Sequence, residues 1–279
     1  MRKQFETHSR GRINDGRLIR SGQRYYVRYM DHGDLKHSLD LQDHVLEVLE
    51  ELGKTHYIIE KSENYLKKLL DSGHAIIGTF VHDSDPNNED RLATHMLVLY
   101  PQSEDDTGLA DTSVLPCSDP GKLSVVSNIL VHQDFRGNRL MQQMLAEWLK
   151  IAAADGKSDA VAEVCADNEF SWGVFVDCGF VIYAASHDER DGAELVYVHK
   201  PLDRKFVYGA APGDTARITL FDEHSRMDET AYLQLQDFLK QGYHATGFDR
   251  RSKVLTLQKC IGSAPLHTPA NDNPQPPAP

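Results

Sequence analysis

The sequence has few cysteines, no long apolar run and no excess of positive charge. Its four cysteines, Cys117, Cys165, Cys178 and Cys260, include no C-x-x-C pair, so we expect reduced thiols and no disulfide framework. The longest apolar runs, such as residues 75–80, fall far short of the roughly 20 residues of a membrane span, which predicts a soluble protein without a membrane partner. A formal net charge of −12 argues against nucleic acid as the main partner.

Metal-binding and secretion signals are also missing. The 14 histidines show no HExxH or similar ligand spacing, so no metal is predicted. The first 28 residues are rich in Lys and Arg, yet they lack the apolar stretch of a secretory signal. We expect residues 1–23 to form a basic, solvated arm, with an organelle-targeting segment or a basic docking arm as alternatives. Together with the reduced thiols, this predicts a cytoplasmic location.

The remaining composition is that of a globular chain. With 279 residues, of which 40% are hydrophobic and 26% charged, it has room for one large domain or two small ones. Residues 261–279 hold half of the 12 prolines and almost no large apolar side chains. They cannot bury enough surface to offset the entropy of ordering, so we expect a disordered tail.

Between residues 24 and 202, period-2 and helical hydrophobic patterns alternate, which predicts a mixed α/β sheet. Predicted strands are 24–30, 74–82, 91–100, 123–131, 159–167, 179–185 and 194–200. Predicted helices are 41–52, 62–73, 137–152 and 168–179, the last with Asn168 as its N-cap and Gly179 as its terminator.

Residues 203–260 form a smaller predicted unit of strand, helix and strand. The strands are 216–222 and 253–259, and the helix is Asp228–Gln241. A unit of this size buries too little surface for us to expect an independent domain. We expect it to pack on the main sheet or on a second subunit, which leaves a homodimer open.

One segment combines a buried strand, a glycine loop and a helix start: NILVHQDFRGNRLMQQ. Such a connection collects free backbone N–H groups at the positive end of a helix dipole, and this combination binds phosphates. Arg136 and Arg139 add countercharge. The alternative is an ordinary strand-to-helix connection with no ligand.

The order of elements and this loop resemble the GNAT superfamily of N-acetyltransferases over roughly residues 24–202. The resemblance implies a mixed, mainly antiparallel sheet flanked by helices, with the small β-α-β unit appended. It also implies that the loop wraps the diphosphate of acetyl-CoA, the cosubstrate, while the strand end offers backbone groups to the pantetheine. Arg136 fits the family pattern, whereas Arg139 and Met141 stand where the family has small residues.

A second string, EVCADNEFSWGVFVDCGF, is similar to ribosomal-protein alanine acetyltransferases of that superfamily. The resemblance gives Glu163 the position of the general base and Asn168 a contact to the cofactor. Phe175 stands where the family has a Tyr that protonates the departing thiolate. The implied cofactor-binding residues are Ile129, Leu130, Val131, Arg136, Gly137, Asn138, Arg139, Leu140, Met141 and Asn168.

The residues themselves support a base at Glu163. Amide formation from a thioester needs a neutral amine, and a carboxylate in a cleft can remove the ammonium proton. Strand alternation sets Glu163 on the face of Val161 and Cys165, opposite an apolar face. The alternative is a strand-end glutamate paired with a nearby Arg or Lys.

We therefore expect an acyl-CoA-dependent N-acyltransferase that moves an acetyl group to a primary amine on a small molecule or a protein by direct attack. The alternatives are a catalytically weak acyl-CoA-binding regulatory module, or transfer of a longer acyl group. Tyr183 or Cys178 could replace the missing acid, although packing explains both more simply. The acidic loop 102–122 could attract a cationic acceptor, or it is simply a solvated loop.

Overall fold

The computed structural model describes residues 11–83, 85, 87–189 and 192–266. Its strands are β1 (Arg12–Arg17), β2 (Arg24–Tyr29), β3 (Ala75–Val81), β4 (Arg91–Leu99), β5 (Leu123–Val131), β6 (Asp159–Cys165), β7 (Val181–His187), β8 (Glu194–Pro201), β9 (Arg204–Tyr208), β10 (Thr215–Thr219), β11 (Tyr243–Asp249) and β12 (Val254–Pro265). Its α-helices are α1 (Leu35–Glu51), α2 (Glu63–Asp71), α3 (Leu140–Ala154), α4 (Glu169–Asp177) and α5 (Glu229–Lys240).

The strands join in one sheet in the order β1-β2-β3-β4-β5-β6-β8-β7-β11-β12-β10, with β9 paired to another stretch of β12. Neighbouring strands run antiparallel except for β5 and β6, which run parallel because α3 crosses over between them. The prediction of a mixed, mainly antiparallel sheet flanked by helices is therefore confirmed.

Helices cover both faces of the sheet, and two hydrophobic clusters result. One face packs under α1 and α2 through apolar side chains such as Leu41 and Leu66. The other packs under α3, α4 and α5 through side chains such as Trp148, Phe175 and Leu235. Because strand residues alternate between faces, each β6 side chain belongs to one of these two environments.

Strands β5 and β6 separate halfway along their length. Their pairing runs from Leu123 and Asp159 to Val126 and Ala162, and no pairing between them is recorded beyond that point in the described chain. Asn128 lies just past the divergence with a left-handed φ of 58°, where the pairing of β5 with β4 also shifts register. The two strands therefore form a V-shaped opening within the sheet, which we call the β5–β6 opening.

The C-terminal unit has more strands than the sequence pattern predicted. The strands β9 and β11 were missed: β11 carries Gly247 and alternates weakly between buried and half-buried residues. Strand β12 continues to Pro265, past the predicted start of the tail, because it pairs with β9. The prediction of disorder for residues 267–279 lies outside the described residues.

This unit shares a hydrophobic core with α3 and α4 and is also joined to the main sheet by hydrogen bonds. Ala245 of β11 pairs with Ile182 of β7. The Tyr232 hydroxyl of α5 donates to the carbonyl oxygens of Ser186 and Leu195, at 2.9 Å each. The β11–β12 edge and α5 therefore continue the sheet and its helical cover beyond β7.

The N-terminal segment also differs from the expected arm. Residues 12–17 form β1, an edge strand paired with β2, and residues 1–10 lie outside the described part of the chain. No helix within the described ranges is long and apolar enough to cross a membrane.

Candidate active site

The β5–β6 opening exposes backbone groups that a sheet interior normally pairs. Ile129, Leu130 and Val131 bond to β4 on one side, while their other edge faces the gap left by β6. The side-chain Nδ2 of Asn128 is buried there without a hydrogen-bond partner among the described residues. An extended amide chain such as pantetheine fits this edge, because it could bond to strand backbone groups and to that free amide.

The loop after β5 holds two left-handed residues before α3 begins. Gly137 has a φ of 79° and Arg139 a φ of 58°. Because this region favours glycine, Arg139 is held there by its surroundings. Both Arg136 and Arg139 are exposed. Arg136 Nε donates to the Val131 carbonyl at 3.4 Å, so its two terminal guanidinium nitrogens and the Arg139 guanidinium remain available for an anion.

Helix α3 starts at Leu140, so its first-turn N–H groups lack intrahelical partners. Leu140 is buried in the core, and Met141 packs partly against it. These two predicted cofactor residues therefore offer a ligand their backbone, since their side chains serve the core.

Asn138 uses its side chain within the protein. Only 3% exposed, it accepts the Arg20 backbone N–H through Oδ1 at 2.8 Å. Its Nδ2 donates to the carbonyl oxygen of Phe135 at 2.9 Å. Its predicted role in cofactor binding is thereby limited to its backbone, because both side-chain polar atoms have protein partners.

Glu163 lies on β6 immediately after the last residue paired with β5. Its face carries Val161 and Cys165, whereas Ala162, Val164 and Ala166 lie in the opposite cluster. The alternation argument is confirmed. The half-buried carboxylate accepts the backbone N–H of Ala110 at 2.6 Å, so the acidic loop folds over it.

Tyr197 lies directly across from Glu163 on β8. Burial raises the pKa of the Tyr197 phenol, a hydrogen bond to Ser186 lowers it, and the negative charge of Glu163 raises it again, for a large net rise. The phenol therefore stays protonated at neutral pH. Its oxygen lies 3.0 Å from Ser186 Oγ, which adds a hydroxyl to this side of the opening.

The end of β6 is held by the connection between α1 and α2. Asp167 lies 2.6 Å from Lys54 Nζ and 3.1 Å from His56 Nε2. The next residue, Asn168, is the N-cap of α4 and accepts the Ser171 backbone N–H at 3.2 Å. The predicted cap is confirmed, and it sets Asn168 at the wide end of the opening.

Phe175 and the two candidate acids lie in packed surroundings. Phe175 is 2% exposed and contacts Phe180 edge-to-face at 5.1 Å between ring centroids. Burial raises the pKa of Cys178, and it raises that of Tyr183, whose hydroxyl has no hydrogen-bond partner within the described residues. Both groups therefore stay protonated near neutral pH, within packed surroundings.

Three groups at the candidate site were not predicted from the sequence: the Ala110 N–H, Tyr197 and Arg20. The first two reach Glu163 through a long loop and through the β6–β8 register. Arg20 reaches Asn138 across 118 positions of the chain. Local periodicity carries no signal for any of these contacts.

Residues 60–180, which contain both strands of the opening and Glu163, match the model of the acetyltransferase (GNAT) family. Among solved structures, a GNAT-family acetyltransferase from Listeria monocytogenes 4b F2365 shares 18% identity, with a TM-score of 0.49 over 68% of this chain and 100% of that chain. Salmonella typhimurium yncA, solved with its cofactor acetyl-CoA, shares 16% identity, with a TM-score of 0.47 over 67% and 97% of the two chains.

A ribosomal-protein-alanine N-acetyltransferase from Brucella melitensis shares 16% identity, with a TM-score of 0.46 over 63% of this chain and 99% of that chain. No curated protein sequence matches the chain significantly. The family match agrees with the resemblance found in the sequence. Residues 60–180, less than half of the chain, therefore match the acetyltransferase (GNAT) family, whose members are acyl-CoA-dependent N-acyltransferases that take acetyl-CoA as cosubstrate.

Proposed function

We propose that residues 24–202 transfer an acetyl group from acetyl-CoA to a primary amine by direct attack, with Glu163 as the general base. The observation that carries this proposal is the position of Glu163. Its carboxylate stands where β6 leaves β5, half-buried and oriented by the Ala110 N–H. A carboxylate fixed at a gap in a sheet is well suited to take a proton from a bound ammonium.

The cosubstrate would extend along the β5–β6 opening. Ile129, Leu130 and Val131 would bond to the pantetheine, and the buried Nδ2 of Asn128 would gain a partner. The loop from Arg136 to Met141 would hold the diphosphate through backbone N–H groups and the two arginines.

The reaction would proceed in one covalent step. The ammonium proton of the acceptor passes to Glu163, and the neutral nitrogen attacks the thioester carbonyl carbon. The carbon–nitrogen bond forms and the carbon–sulfur bond breaks, so the electron pair leaves on the CoA sulfur. The second proton lost by nitrogen protonates that thiolate, and Glu163 returns its proton to water.

The leaving group can depart without an acid at position 175. A thiol has a pKa near 8.5, so a free thiolate is a tolerable leaving group in water. Phe175 therefore slows this step less than loss of Glu163 would slow the deprotonation.

Acetyl-CoA titration and an amine panel test the proposal. Ligand at about a hundred times its Kd should stabilise the fold by roughly 2.7 kcal/mol, and the amine panel should release free CoA thiol. An unchanged Tm together with no heat of binding would refute the cosubstrate assignment.

Tight binding without turnover on any amine would favour the regulatory module, which the buried Phe175 supports. Faster turnover with longer acyl-CoAs would favour the longer acyl group.

A further inference from the structure

The turn between β1 and β2 docks on the loop between β5 and α3, although it precedes the family-matched segment. The turn is closed by two backbone hydrogen bonds, from Leu18 N–H to the Gln23 carbonyl and from Gly22 N–H to the Leu18 carbonyl. Leu18 is 3% exposed and belongs to the core that includes Leu140. The turn is thus a packed part of the domain.

Two side chains fix this hairpin to α3 and its loop. The Arg20 backbone N–H donates to the buried Oδ1 of Asn138 at 2.8 Å. Farther along, Asn14 Nδ2 donates to Glu147 Oε1 on α3 at 2.8 Å. Because the Arg20 anchor uses the backbone, the position of the turn does not depend on the Arg20 side chain.

The Arg20 guanidinium lies against Gly137. A β-carbon added at Gly137 would stand 2.5 Å from Arg20 Cζ and 2.6 Å from Nε. A side chain at position 137 would have to displace this guanidinium, and the φ of 79° also favours glycine there. No hydrogen bond or ion pair of the Arg20 guanidinium is found within the described ranges, so its charge has no protein counterion there.

The Arg20 guanidinium thus lies against the loop that carries Arg136 and Arg139, in a chain of net charge −12. A local cluster of positive charge in an acidic protein attracts an anion. The anion that fits a glycine loop at a helix start is a phosphate or diphosphate, because backbone N–H groups and guanidinium forks bind the same oxygens.

We propose that Arg20 binds the diphosphate of acyl-CoA, so that the N-terminal hairpin completes the cosubstrate site. The proposal rests on the proposed function. It assigns Arg20 the diphosphate rather than the 3′-phosphate, because the guanidinium contacts Gly137 of the diphosphate loop. The alternative is that the Arg20 side chain only occupies space beside the loop in the free protein and is displaced when the ligand binds. This alternative can be tested as well.

Calorimetry with CoA and with dephospho-CoA, which lacks the 3′-phosphate, separates these roles. Arg20→Ala should weaken the binding of both ligands by the same factor, about tenfold to a hundredfold. Arg136→Ala sets the scale for a diphosphate contact. Arg24→Ala, at an exposed arginine at the start of β2, removes the same charge from the same hairpin and should leave both affinities unchanged.

Each outcome decides the proposal. If the wild type binds neither ligand, the proposed function and this inference fail together. If the wild type binds and Arg20→Ala binds equally well or more tightly, only the inference fails, and the side chain is a displaceable filler. If Arg20→Ala weakens CoA but not dephospho-CoA, the diphosphate assignment is wrong. An unchanged Tm of the free Arg20→Ala variant confirms that the hairpin stays docked.

Discussion

The two halves of strand β6 use carboxylates on the same face in different ways. Asp159 lies in the half flanked by both β5 and β8, and its side chain is 1% exposed. It lies 2.7 Å from His199 Nε2 and 2.5 Å from Arg204 Nη2. Glu163 lies past the divergence and is half-buried, and it interacts with the Ala110 N–H and with the Tyr197 phenol.

The pKa of Asp159 shows what the paired half requires. Burial raises it, but hydrogen bonds from His199, Ser158 and Arg204 outweigh burial and lower it overall. A carboxylate in a closed sheet is kept ionised by fixed donors that also occupy its oxygens. Glu163 instead lies beside the gap that β6 leaves next to β5, where a ligand could reach it, and a general base requires such access.

The largest effect should come from removing the base in the open half. Glu163→Gln keeps an oxygen for the Ala110 N–H but cannot take a proton. Turnover on the true acceptor should fall about 100-fold to 10,000-fold, while CoA affinity is retained. The loss should shrink as pH rises, since free amine becomes available towards the amine pKa of about 10.

Steady-state thiol release from pH 6 to 10 measures this. Glu104→Gln, at an exposed position of the loop that covers Glu163, is the matched control and should keep wild-type turnover. Wild-type turnover in a folded Glu163→Gln variant would show that Glu163 is not the general base. The proposed difference in function between Asp159 and Glu163 would then no longer hold.

In the paired half the effect should appear in stability. Asp159→Asn leaves His199 and Arg204 without their carboxylate, and breaking a buried pair costs about 3 to 5 kcal/mol. We expect the lower end, because the Arg204 side chain is 26% exposed. Urea unfolding measures the loss, and turnover per folded molecule should stay close to wild type.

The pH dependence of this stability has a definite sign. The folded-state pKa of Asp159 is lowered, so its contribution is complete above the ordinary Asp value near 4 and is lost as pH falls further towards the folded-state value. The gap between wild type and Asp159→Asn should therefore narrow below about pH 4. Asp203→Asn removes an exposed partner of the same Arg204 and should cost less than about 1 kcal/mol. Equal losses for the two variants would contradict a special role for burial.

The local features of β6 and α4 could be predicted from the sequence. Alternation along β6 separated Glu163 from the apolar face, and the position of Asn168 before the apolar run marked the start of α4. These features depend on neighbours one to four residues apart, so periodicity and capping rules reach them.

The rest depends on distant parts of the chain. The divergence of β5 from β6, the Ala110 N–H on Glu163 and the docking of Arg20 each join elements that local patterns treat separately. Strand β11 was missed for a related reason: its place in the sheet comes from pairing with β12, while its own sequence, YHATGFD, lacks Val and Ile and is interrupted by Gly247.

A smaller effect tests whether α4 faces the core or the opening at position 175. Phe175→Tyr adds a hydroxyl at a site that is 2% exposed and packed on Phe180. A buried hydroxyl without a partner costs about 1 to 3 kcal/mol, so we expect lower stability and no gain in turnover. Phe170→Tyr, on the same helix but 73% exposed, should change neither. Retained stability with faster turnover would instead show that the ring edge reaches the thiol.

The smallest effect separates structure from binding at the wide end of the opening. Asn168→Ala removes the N-cap of α4 and should cost about 1 kcal/mol, whereas Asn168→Asp keeps a cap and should be nearly neutral in stability. If the Asn168 amide also contacts the cosubstrate, both variants should weaken CoA binding, and only one should lower the Tm. Asp228→Ala, which removes the N-cap of α5, should lower the Tm without affecting CoA. Wild-type CoA affinity in Asn168→Asp would show that Asn168 only caps α4. In that case Asn168 belongs to the structural part of the β6–α4 segment and not to its ligand-binding part.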